Sequence, residues 1–188
     1  MFRPITRMGE QRDYILELLL DHTTAGLPYE ECVGVSYQQL HADPDTAIAD
    51  IVDRFHQVAD QCDAVVVVGS DYTDIATPSE LSMNARIAAN LGIPVVLTVK
   101  GRDRTTDQIV KLVEVCVDEI AAQHAHTAAV VVNRSDPQRM AEIADALFTN
   151  RRFKSTEAKM TILLSRAKKE LDPPKRRRRK APPPGSPA

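Results

Sequence analysis

Cys62-Asp63-Ala64-Val65-Val66-Val67-Val68-Gly69-Ser70-Asp71 decides the fold class. Residues 64–68 are apolar without a break. A strand with one wet face alternates apolar and polar residues, whereas a strand covered on both faces does not. The glycine and the polar residues after it end the run at the carboxyl end, where open parallel sheets bind ligands. Similar β-branched runs occupy residues 33–37, 93–99 and 128–132, and residues 2–6 read as the latter part of another strand.

Helical patterns fill the intervals. Ile48, Ile51, Val52, Phe55 and Ala59 recur at helical spacing, after a capping Asp43 and a Pro44 suited to the first turn. Thr77-Pro78-Ser79-Glu80 is a capping-box signal, and Gly92 is the matching stop. A second box, Thr105 to Gln108, opens a helix whose Ile109, Leu112, Val113, Cys116, Val117 and Ile120 face one way. Asp136-Pro137 starts a last helix that runs to about Leu147. Strands alternating with helices through short links predict an α/β fold, a mostly parallel sheet with helices on both faces.

The chain has 188 residues, of which 43% are apolar, enough for one domain of ordinary core content. No run approaches the roughly 20 apolar residues of a membrane span, and the first ten residues lack the apolar stretch of a secretory signal. Cys32, Cys62 and Cys116 are odd in number and widely spaced, which argues against a disulfide framework or a zinc site. They read as small core residues in a reducing cytoplasm, and a cytoplasmic location is expected.

Charge divides the chain. Residues 1–150 hold 11 Lys+Arg and 23 Asp+Glu, whereas residues 151–188 hold 13 and 3. Domain 1–150 is the α/β body. Residues 151–171 are basic and read as a possible helix with a thin stripe of Met160, Leu163, Leu164, Ala167 and Leu171. Residues 172–188, rich in Pro, Arg, Lys and Ala, have almost nothing to bury and read as disordered. The run Lys175-Arg176-Arg177-Arg178-Arg179-Lys180 would neutralise phosphates of nucleic acid, but no aromatic platform or folded motif accompanies it. The same composition arises when a GC-rich gene is read out of frame, and that is the favoured reading over nucleic-acid binding.

The seven glycines are Gly9, Gly26, Gly34, Gly69, Gly92, Gly101 and Gly185, and none belongs to GxxxxGK[ST] or GxGxxG. Such loops let backbone N–H groups approach phosphates closely. Their absence predicts a non-catalytic piece of a larger enzyme with no bound cofactor and no metal.

Phe2-Arg3-Pro4-Ile5-Thr6-Arg7, Arg12-Asp13-Tyr14-Ile15-Leu16, Cys62-Asp63-Ala64 through Gly69-Ser70-Asp71-Tyr72, Leu81-Ser82-Met83-Asn84-Ala85-Arg86-Ile87-Ala88 and Ala128 through Asn133-Arg134 agree in order and spacing with one family. Over roughly residues 2–147 the chain resembles the N-terminal domain of long bacterial phosphate acetyltransferases. The resemblance implies a P-loop NTPase/dethiobiotin-synthetase-like fold that lacks the P-loop segment. It also implies that the family's first strand and its loop would precede Phe2, and that the catalytic domain would follow residue 150. The family reaction interconverts acetyl-CoA plus phosphate with acetyl phosphate plus CoA. The domain resembled here is expected to support oligomerisation and metabolite regulation, so the expected partners are further copies of the chain or the catalytic domain, with neither a membrane nor nucleic acid. No catalytic residue carries over, and the chain alone is not expected to turn over substrate.

The resemblance also marks a weak, vestigial nucleotide or metabolite site. Val68 stands where the dethiobiotin-synthetase pattern has a metal-organising glutamate, and Arg3-Pro4 where it has Lys-Pro. Asn133-Arg134 falls where that fold reads a purine base. The candidate binding residues are therefore Asn133, Asp71 and Arg3. Each has a simpler reading: Asn133 as a satisfied loop cap, Asp71 as a solvated turn residue, Arg3 as an exposed cation. The alternatives to a segment of phosphate acetyltransferase are a stand-alone nucleotide or metabolite-binding module and a nucleic-acid accessory protein acting through the tail.

Overall fold

The computed structural model describes residues 1–7, 12–70 and 80–150, together with the backbone of Thr161–Arg166. The described strands form two ladders, both parallel. In the first, β1 (Arg3–Thr6) pairs with β2 (Val33–Ser36), Arg3 lying opposite Val33 and Ile5 opposite Val35. In the second, β3 (Val95–Lys100), β4 (Thr127–Ser135) and β5 (Thr161–Arg166) lie in that order. An α/β fold with parallel strands and helices is what the sequence pattern predicts.

The helices are α1 (Tyr14–Leu20), α2 (Tyr37–Ala42), α3 (Pro44–Ala59), α4 (Glu80–Leu91), α5 (Thr106–Ala122) and α6 (Met140–Thr149). Their starts follow local chemistry. Asp43 accepts from the Thr46 amide with Pro44 in the first turn of α3, and Thr105 and Gln108 close a reciprocal capping box on α5. Ser36 and Gln39 do the same for α2. Gly92 ends α4 at φ +64°, a left-handed conformation that suits glycine. Asp136 caps a 3₁₀ turn, Pro137–Arg139, that leads into α6. Of the box at 77–80, only Glu80 lies within the described residues.

Two cores result. Phe2, Ile5, Val35, Ile51 and Phe55 centre the first, and Val99, Ile109, Val113, Val130, Val132, Ile143 and Leu147 the second. Helix α4 serves both: Ile87 and Leu91 enter the first and Ala85 the second. Each such aliphatic side chain stabilises the fold by roughly 1.5–3 kcal/mol relative to exposure. Cys32 is buried, while Cys62 and Cys116 are half-buried; burial raises the pKa of the Cys32 and Cys116 thiols.

Two expectations need correction. Among the described residues, residues 64–68 make a single parallel bridge, Phe2 opposite Val67, instead of a full strand. The Phe2 amide donates to the Val66 carbonyl at 2.9 Å, and the Val68 amide donates to the Phe2 carbonyl at 2.9 Å. Nor is the run covered on both faces, since Val66 is 58% exposed. The second correction concerns 151–171, read as a possible helix: Thr161–Arg166 is strand, with Ile162 opposite Val130 and Leu164 opposite Val132. The run Thr161-Ile162-Leu163-Leu164 meets strand chemistry as well as the thin helical stripe, and the backbone groups along β4 decide between them. The rest of 151–171 and all of 172–188 lie outside the described residues. Among the described residues no helix is long and apolar enough to cross a membrane.

Candidate functional site

Arg3 is 1% exposed, and a buried guanidinium is costly unless partners surround it. Its Nε lies 3.1 Å from Asp13 Oδ2, and its Nη1 donates to the carbonyls of Val68, at 3.2 Å, and Gly69. Asp13 is itself committed: its Oδ1 accepts the Leu16 amide at 3.0 Å, capping α1, and its own amide donates to the Tyr29 hydroxyl at 2.7 Å. Arg3 therefore ties β1 to the end of the 64–69 segment and to the start of α1. It lies in the interior, not on the surface.

Beside it lies a polar cluster that the sequence reading did not single out. Ser70 Oγ donates to Glu80 Oε2 at 2.5 Å, the Ser70 amide donates to Asn84 Oδ1 at 3.0 Å, and Asn84 Nδ2 returns a bond to the Ser70 carbonyl at 2.8 Å. Gly69 permits this approach, because a Cβ there would sit 3.0 Å from Asn84 Oδ1. Burial holds the Glu80 carboxyl above its ordinary pKa, against the pull of Arg3 and Arg7. The available signals were Glu80 in its capping box and Asn84 one helical turn later. Asp71 lies outside the described residues.

Asn133 is on the other ladder, on β4 opposite Lys100, and half-buried. Its carbonyl accepts the Gly101 amide at 2.7 Å. Arg3 and Asn133 are thus placed on different ladders.

Next to Asn133, Arg134 adopts φ +59° where the β4–β5 register shifts, and Asp103 lies at φ +62° on the loop after β3. Gly101 is pressed onto the buried Ser135, where a Cβ would come within 2.7 Å of the Ser135 Oγ. The segments after β3 and at the end of β4 leave a cleft of about 750 Å³ past the carboxyl ends of these strands. Arg102, Arg104, Arg134 and Arg139 line it. Arg104 Nη1 donates to the Lys100 carbonyl at 3.1 Å; Arg139 donates to the Arg104 carbonyl at 2.9 Å and to Thr106 Oγ1 at 2.5 Å. The Thr106 hydroxyl in turn donates to Glu142, and that bond, helped by Arg139, holds the Glu142 carboxyl below its ordinary pKa. Parallel sheets bind ligands in this position, and the arrangement favours anions.

The chain is similar to two phosphate acetyltransferases. That of Nitratidesulfovibrio vulgaris is 26% identical over 144 residues, covering 71% of this chain and 20% of that protein. That of Synechocystis sp. is 24% identical over 149 residues, covering 76% of this chain and 21% of that protein. The chain thus spans about a fifth of the length of these curated relatives. No solved structure matches it significantly. Residues 1–165 match the family described as an AAA domain, and the chain belongs to that family.

Proposed function

We propose that this chain is a segment of a phosphate acetyltransferase and serves as its non-catalytic regulatory and assembly domain. The carrying observation is the similarity to phosphate acetyltransferases along most of the α/β body, over only a fifth of their length. The sequence adds support, having neither GxxxxGK[ST] nor GxGxxG. In this reading the chain works in the cytoplasm. Its partners are further copies of itself or the domain that interconverts acetyl-CoA plus phosphate with acetyl phosphate plus CoA, and it engages neither membrane nor nucleic acid. The test is to assay the 188-residue chain for CoA-dependent consumption of acetyl phosphate and to measure its mass in solution, alone and mixed with a phosphate acetyltransferase catalytic domain. We expect no turnover, together with self-association or co-migration. Turnover by the chain alone overturns the non-catalytic role; a monomer that ignores the catalytic domain overturns the assembly role.

The second reading, a stand-alone metabolite-binding module, is favoured by one observation, the arginine-lined cleft next to Asn133-Arg134. Arg3 contributes little to such a module, because its guanidinium is engaged in the interior. Loss of ligand binding on Asn133→Ala supports that module, and unchanged binding removes Asn133 from it.

A further inference from the structure

We infer that the cleft past the carboxyl ends of β3 and β4 is a binding site for a small polyanion carrying at least two phosphate or carboxylate groups. The inference does not depend on the regulatory and assembly role proposed above; it deepens the second reading, which rests on the same cleft.

Composition makes the cleft unusual. Residues 1–150 contain only 11 Lys+Arg against 23 Asp+Glu, yet four of those cations, Arg102, Arg104, Arg134 and Arg139, line this one cleft. Two carboxylates accompany them, and both are turned to local tasks. Asp103 lies 3.8 Å from Lys100, and Asp136 Oδ1 accepts the Gln138 amide at 2.9 Å as a cap. The cleft therefore keeps an excess of positive charge on an acidic body.

The four guanidiniums divide into two kinds. Arg104 and Arg139 are oriented largely by carbonyl and hydroxyl oxygens, which fix a guanidinium without cancelling its charge. Glu142 Oε2, 3.5 Å from Arg139 Nε, is the carboxylate ion-paired to Arg139, and Glu142 is shared with Thr106. Arg102 and Arg134 have no hydrogen-bond or ion-pair partner among the described residues. Two oriented and two unengaged guanidiniums suit the fork geometry in which Arg takes phosphate or carboxylate oxygens in pairs. A volume of about 750 Å³ is that of a small-molecule site, and it exceeds what a single phosphate fills. Four guanidiniums around one cleft, two of them unengaged, suit a ligand with two or more anionic groups. Among the described residues no aromatic side chain lines the cleft, so it offers no aromatic platform for a nucleic-acid base.

The test is calorimetric titration of the full chain with pyrophosphate, with citrate and with inorganic phosphate. Pyrophosphate and citrate separate phosphate from carboxylate chemistry, and inorganic phosphate is the single-group control. We expect one of the first two to bind at least tenfold more tightly than inorganic phosphate. Arg102→Ala/Arg134→Ala is expected to weaken that binding at least tenfold with an unchanged circular dichroism spectrum. Arg86→Ala, which removes a cation paired with Asp45 elsewhere, is expected to leave it intact. The basic run Lys175 to Lys180 is the competing source of polyanion affinity, and binding there survives the double variant. No binding by either polyanion, equal binding by the double variant, or an equal loss in Arg86→Ala overturns the inference.

Discussion

Arg3 and Asp13 meet at 3.1 Å with side chains 1% and 7% exposed, and this pair joins three segments that are remote in sequence. It anchors β1, receives the turn after residue 68 through two carbonyls, and starts α1 through the capping oxygen of Asp13. Removing one partner leaves the other charged and buried. Arg3→Ala or Asp13→Ala is expected to cost about 3–5 kcal/mol. The double variant Arg3→Met/Asp13→Leu is expected to lose less than the two single changes combined, because it buries no orphan charge. Urea unfolding of the four proteins checks this, and single-variant losses below about 1 kcal/mol would show that the pair is solvated.

At the floor of the arginine cleft, Gly101 has no room for a side chain. A Cβ would stand 2.7 Å from the Ser135 Oγ and 3.0 Å from Val132 Cγ1, and Ser135 and Val132 are both sealed from solvent. Gly101→Ala is expected to destabilise by about 1–3 kcal/mol, as other insertions into packed interiors do. Adding Ser135→Ala removes the closest atom and should return part of the loss. Thermal unfolding decides: a second substitution that returns nothing would place the clash on the backbone.

Local features of this fold were legible and distant ones were not. Asp43, Thr105 and Gly92 act within one turn of their own position, so their types and spacing state their roles. The burial of Arg3 depends on residues ten and more than sixty positions away, and no window of sequence contains them. Arg102 and Arg104 are separated from Arg134 and Arg139 by all of α5, and only the parallel pairing that sets Lys100 opposite Asn133 gathers them. The strand at Thr161–Arg166 was hidden for a related reason. Its apolar residues satisfy a helical stripe, and pairing with β4 settles the conformation. Residues 64–68 show the converse. Five apolar residues announce an extended segment, but they do not report that, among the described residues, Phe2 alone pairs with it.

Glu80 gives the protein a pH dependence of defined sign. Burial raises its carboxyl above the ordinary value of 4.5, so the folded state binds its proton more tightly than the unfolded state does. The contribution of Glu80 to stability is therefore fully present below pH 4.5 and is lost as pH rises through the raised value. Glu80→Gln keeps an acceptor for the Ser70 hydroxyl and removes the buried charge. The variant is expected to be more stable than the parent at pH 7, and its advantage should shrink as pH falls through the carboxylate range. Urea midpoints at both ends of that range test it. A variant that is less stable at pH 7 would mean that attraction to Arg3 and Arg7 outweighs burial.

Two extended segments carry exposed valines. Among the described residues β3 pairs only with β4, and Val96 on it is 59% exposed; Val66, on the segment bridged only to Phe2, is 58% exposed. Unpaired N–H and C=O groups beside apolar side chains are templates for another strand. The chain is therefore expected to associate with itself as concentration rises. Val66→Lys and Val96→Lys are expected to reduce that association, since lysine on an edge opposes strand addition, while changing stability by no more than about 0.5 kcal/mol. Val115 is equally exposed, at 60%, but lies on α5, and Val115→Lys should leave association unchanged. Light scattering over a concentration series separates the cases. A parent chain that stays monomeric throughout refutes the idea that the edges are sticky, and an equal effect from Val115→Lys would assign the association to apolar exposure in general.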